Sequence, residues 1–185
     1  MSLRLYCWIV LACLAVSGCG EEVLPKPRAM LRLEYPERAY RLLESDCPFS
    51  FDYNDLARLE MADSCNLILD YPPMKGSIYI TYKRVNGNLN ALLTDAQKLS
   101  YEHVVKADNI LEQPFVNPES GMYGMFYEVS GDAASQSQFY ATDSTRHFIT
   151  GSLYFYAKPN YDSIYPAAVY LQNDIRRIME SLRWK

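Results

Sequence analysis

Histidine is nearly missing from this chain: two occur in 185 residues, His103 and His147. No paired-histidine metal motif can therefore be written, and neither Cys47 nor Cys65 has a second cysteine or histidine at ligand spacing. There is no Gly-x-Ser-x-Gly elbow, no phosphate-binding loop and no dinucleotide fingerprint, and Gly121-Met122-Tyr123-Gly124 is too short to serve as a nucleotide loop. Positive charge is also scarce. Eighteen Lys and Arg stand against 22 Asp and Glu, a formal net charge of −4, which argues against nucleic acid and anionic lipid surfaces as partners, since both need clustered cations. After residue 16 no apolar stretch approaches the roughly 20 residues of a membrane span. Internal repeats and low-complexity segments are absent as well. From these gaps no catalytic residue, cofactor or metal site is expected.

What is present begins at the N-terminus. Arg4 precedes an unbroken stretch of apolar and small residues, Leu5 to Val16, followed by Val16-Ser17-Gly18-Cys19. A basic start, an apolar run of about a dozen residues and a small-residue cleavage site describe a secretory signal peptide. A cysteine at the first mature position makes AVSGC resemble the lipobox of bacterial lipoproteins, with the Cys19 thiol as the acylation site; the plainer reading is a secretory signal with a chance cysteine. Two or three acyl chains anchor stably where one does not. The expected organisation is a signal peptide at 1–18, a lipidated N-terminus and Pro-stiffened tether at 19–29, and one globular domain at 30–185. Removing Arg4 with the signal takes the formal charge from −4 to −5.

Five cysteines then sort themselves. Cys7 and Cys13 leave with the signal, Cys19 takes lipid, and Cys47 and Cys65 remain as an even pair in an oxidising compartment. A Cys47–Cys65 disulfide is favoured over two free thiols; closing that loop would constrain the unfolded chain by about 3 kcal/mol.

Alternation and periodicity outline the domain. Short strands are expected around Leu31-Leu33-Tyr35, Phe49-Phe51-Tyr53, Asn66–Asp70 and Ile78-Ile80-Tyr82. A helix is expected over 88–112, capped by Asn88 and closed before Pro114. Met122–Val129, Ser135–Thr142 and His147–Ala157 read as an antiparallel meander with turns at Ser130-Gly131-Asp132 and Asp143-Ser144. A last helix runs from Ser163 or Pro166 to Leu182 with the seam Ile164, Ala168, Leu171, Ile175, Ile178 and Leu182. The sum is an α+β fold, a mainly antiparallel sheet packed against two long amphipathic helices. The closing order of hairpin, long strand and helix resembles small Mog1/PsbP-like domains.

Asp143, Ser144 and His147 put an acid, a hydroxyl and an imidazole close in sequence, the raw material of an envelope hydrolase. Triad members usually come from separated elements and need an oxyanion hole, so a turn entering a strand is the favoured reading. His103 falls beside the apolar stripe of the first helix, as a packing residue. The 16 tyrosines leave two possibilities open: burial under helices, or exposure as an interaction or glycan-binding surface.

Taken together, PKPRAMLRLEYPE, SDCPFSFDY, KGSIYITYKRVNGNLN, YEHVVKADNI, QFYATDSTRHFITGSLYFYAKPN and DIRRIMESLRWK resemble the gliding motility lipoprotein GldD family of the Bacteroidota across nearly the whole mature chain. The resemblance implies a non-enzymatic accessory of the gliding machinery and the coupled type IX secretion system, lipid-anchored in the cell envelope at the outer membrane and facing the periplasm. Its partners would be other envelope proteins of those systems. The residue that carries over with a role is Cys19; Cys47 and Cys65 fall in matching segments, which supports a shared disulfide.

Overall fold

The structure is a computed structural model that describes residues 34–101, 106–156 and 161–185. The expected signal peptide and tether, Cys19, the strand residues Leu31 and Leu33, His103 and Ala157 lie outside the described residues.

Three small strands come first: β1 (Tyr40–Leu42), β2 (Phe49–Ser50) and β3 (Asp52–Asn54). Seven strands then build one sheet. In chain order they are β4 (Arg58–Met61), β5 (Leu67–Tyr71), β6 (Gly76–Arg84), β7 (Ala107–Asn117), β8 (Met122–Gly131), β9 (Ser135–Thr142) and β10 (His147–Phe155). Helix α1 (Leu89–Tyr101) lies between β6 and β7; helix α2 (Tyr161–Ser181) and β11 (Arg183–Trp184) close the chain. The spatial order is β4-β5-β6-β10-β9-β8-β7, and every neighbouring pair is antiparallel. The chain thus builds one edge, crosses through α1 to the far edge, and meanders back until β10 fills the gap beside β6.

Strand alternation gives the sheet two covered faces. Ile149 and Leu153 of β10, Ile78 and Ile80 of β6, Leu67 and Leu69 of β5 and Phe126 of β8 join Leu171, Ile175 and Ile178 of α2 in the main core. The intervening residues face α1: Phe148 packs with Val85, Leu92 and Ala96, flanked by Tyr140. Phe49, Phe51 and Tyr53 plug the main core from the N-terminal strands, which explains their apolar alternation. Ends are tied to beginnings, with β11 pairing β2 and α2 packing on β3. Cys47 and Cys65 are bonded, their Cα atoms 5.6 Å apart across 18 residues.

The α+β class, the antiparallel meander and the closing helix agree with the sequence reading. Its first helix was overextended: α1 ends its described course at Tyr101, and Ala107–Asn117 is strand. β7 pairs with β8 along its length, from Ala107↔Gly131 to Asn117↔Met122. That ladder outweighs the weak three-and-four spacing of Ala107 and Ile110, in a stretch with Asp108, Asn109, Phe115 and Val116 that favours helix poorly. Pro114 fits because β7 is an edge strand, where a missing donor is tolerated. Asn88 begins α1 through its backbone, accepting Leu92 N–H at 3.1 Å, while its side chain accepts Asn86 N–H at 2.8 Å. Glu34 and Tyr35 form no strand, and the first strand among the described residues starts at Tyr40; Pro36 has no N–H to give a ladder. β4 was not expected, being only four residues long on the opposite edge.

Candidate functional site

The segment that tempts a triad reading is a turn. Asp143 Oδ1 accepts the backbone N–H groups of Thr145, Arg146 and His147 at 2.7–3.0 Å. Burial pushes the Asp143 carboxyl up, but those three bonds outweigh it and bring its pKa to about 2. Thr142 Oγ1 donates to His147 O at 2.6 Å and accepts Ser144 N–H at 2.9 Å. The His147 ring is hydrogen-bonded through Nδ1 to Tyr82 OH at 2.8 Å and stacks on Trp184. Ser144 is exposed with φ +64°. The fold therefore does not bring Ser144 and His147 together as nucleophile and base.

A second polar cluster, which sequence reasoning missed, lies under α2. Asp174 is 1% exposed. Tyr40 OH donates to its Oδ1 at 2.9 Å, Asn54 Nδ2 to its Oδ2 at 2.8 Å, and Arg38 Nε stands 3.5 Å from Oδ1. Burial raises the Asp174 pKa, against the opposing pull of Tyr40, Asn54 and Arg38. Tyr170, one turn earlier, donates from its hydroxyl to Pro36 O at 3.0 Å and lies under the Arg38 guanidinium, 4.2 Å from its ring centre. The Tyr35 ring adds a contact at 5.0 Å. Residues 35–40 are thereby strapped to α2. The signal was readable: Asp174 is an acid at a seam position, beside Leu171, Ile175 and Ile178.

The third feature is a cleft of about 220 Å³ between the first turns of α2 and β7–β8–β9, with Tyr161, Tyr165, Glu128, Gln136 and Ser137 among its lining. Its tyrosines come from the helix, not from the sheet. Among the described residues, no group of three or more His, Cys, Asp or Glu is placed to hold a metal ion.

The fourth is the surface beside α1. Val116 and Tyr123 are cross-strand partners in β7 and β8, 59% and 49% exposed. Tyr101, at the end of the described part of α1, is 50% exposed and donates its hydroxyl to Glu112 of β7. Across α1, the Tyr79 and Tyr154 rings meet edge to face at 5.8 Å, next to exposed Tyr156. The tyrosines thus divide: Tyr71, Tyr127 and Tyr170 are core, while Tyr79, Tyr101, Tyr123 and Tyr156 reach solvent.

An antiparallel sheet of seven strands with two helices packed on it defines an α+β domain. Its family is known: the chain belongs to the gliding motility lipoprotein GldD family, which matches residues 20–184. A lipoprotein family implies lipid-anchored residence in the cell envelope. No curated protein and no solved structure matches the chain.

Proposed function

We propose that this gliding motility lipoprotein is acylated at Cys19 after removal of residues 1–18 and acts as a non-catalytic scaffold of the gliding machinery and its coupled type IX secretion system, at the outer membrane facing the periplasm. The observation that carries the reading is the family match over residues 20–184. The exposed Val116–Tyr123 pair and neighbouring Tyr101 support it, because aromatic residues add contact area at low entropic cost.

The test is affinity purification from mildly solubilised membranes, with a C-terminal tag and Cys19 intact, read by mass spectrometry. Envelope proteins of gliding or type IX secretion should co-purify, and fewer should do so when Val116 and Tyr123 are both changed to serine. Recovery of the protein alone, under conditions that preserve a known envelope complex, counts against the scaffold reading.

A further inference from the structure

Two buried polar atoms on residues that line the cleft beneath the first turns of α2 have no hydrogen-bond partner among the described residues. Ser137 is 0% and Gln136 4% exposed, and neither Ser137 Oγ nor Gln136 Oε1 makes a hydrogen bond. Leaving such a group unsatisfied is destabilising, so each calls for a partner. Their joint presence has a backbone cause. Along β9 the register with β10 steps from Leu153↔Ser137 to Tyr154↔Ser135, leaving Gln136 as an extra residue. A bulge of this kind re-aims side chains and is over-represented beside functional sites. Here Gln136 and Ser137, the bulged residue and its neighbour, both line the cleft. The Gln136 amide is oriented, since its Nε2 donates to Gly131 O at 3.3 Å and Ala133 O at 2.9 Å, leaving Oε1 as the unpartnered end.

The rest of the lining is mixed in character. Glu128 reaches in from β8; Arg176 and Gln113 both bond its Oε1, so Oε2 stays open and the carboxylate is already balanced by a cation. Tyr161 and Tyr165 form the helix wall, their rings edge to face at 5.4 Å, and Leu111 supplies apolar surface. From these residues we infer that the cleft binds a neutral polyhydroxylated ligand, namely one sugar ring of a glycan. Two acceptors and a hydroxyl on one side suit hydroxyl donors, the balanced Glu128 gives no premium to a cation, and aromatic wall suits the C–H face of a pyranose. The volume of about 220 Å³ lies below the roughly 300–1,000 Å³ of drug-sized sites, which limits the ligand to about one ring. This inference does not depend on the scaffold role.

The test uses the full lipidated chain in a detergent without a sugar headgroup. Saturation-transfer NMR and thermal melting are run against glucose, galactose, mannose and N-acetylglucosamine, with ethanolamine as a cationic probe. At least one sugar should show saturable transfer and raise the melting temperature by mass action. Ser137→Ala, which removes the hydroxyl, and Tyr165→Ala should each weaken that sugar at least tenfold. Gln136→Met serves as the second variant if Ser137→Ala does not fold. Absence of saturable binding at tens of millimolar sugar overturns the inference, leaving a hydrated seam. So does equal affinity in wild type and variants, or preference for ethanolamine over every sugar.

Discussion

His147 lies nearly flat against Trp184, ring centroids 5.1 Å apart and planes 16° from parallel. The imidazole that looked like a candidate base is thus packed against the last strand. Burial holds its pKa below the usual 6.5; Asp143 opposes this, and Arg146 and Arg84 reinforce it. A base whose folded pKa is depressed stays neutral in the fold while the unfolded chain takes up a proton. Its contribution to stability is present above about pH 6.5 and is lost as pH falls through the folded value. The chain has two tryptophans, Trp8 and Trp184, and removal of residues 1–18, as proposed, leaves Trp184 as the sole one. Its fluorescence should drop as the pH falls below the usual histidine value of 6.5 and the stacked ring protonates, and His147→Phe should flatten that response with the fold retained. A pH response unchanged in the variant would remove His147 as its source.

Asp174 works in the opposite direction. Its folded pKa is raised, so the fold holds a proton that the unfolded chain has released, and stability falls as pH rises from about 3.8 through the folded value. Asp174→Asn should remove that slope, as followed by urea midpoints across pH. It also leaves one of the donors Tyr40 OH and Asn54 Nδ2 facing an amide N–H and removes the charge beside Arg38, so a loss of about 1–3 kcal/mol at pH 7 is expected. A variant as stable as wild type at pH 7 would mean that the strap contributes nothing.

Phe139 lies over Gly151. The two are cross-strand partners, and a Cβ at 151 would stand 2.1 Å from Phe139 Cε1. Gly151→Ala should cost about 1–3 kcal/mol in chemical denaturation, and Phe139→Leu in the same chain should recover part of it, a coupling that a double-mutant cycle measures.

Cys47 and Cys65 join the loop before β2 to the turn that follows β4. The processed protein should run two hydrogens lighter by intact mass before reduction than after it. Paired Cys47→Ser and Cys65→Ser changes should lower stability by roughly 3 kcal/mol, the loop-closure value for this separation, as read from the denaturant midpoint. Equal masses before and after reduction would show free thiols.

Sequence patterning went furthest where each element has one buried face. The alternation of Ile149, Leu153 and Phe148 and the seam through Leu171, Ile175 and Ile178 placed the meander, α2 and the core. It went astray where a partner decides. Residues 107–117 carry a pattern compatible with helix, and only the ladder to β8 makes them strand. The strap around Asp174 joins residues up to 134 positions apart, beyond any local reading, although an acid in an apolar seam was a visible clue. The Gln136 bulge left no mark, because it exists only in the register between two strands.

The position of β10 has a consequence for the order of assembly. β6 finds its inner neighbour only in residues 147–155, and β2 finds its partner only in β11 at the very end. A chain delivered across a membrane N-terminus first carries β4–β6 with an open edge until nearly all of it has arrived. Pairing so distant in sequence is slow, and an unpaired edge invites wrong partners. Truncations that remove only the last forty residues should therefore aggregate rather than leave a smaller folded domain.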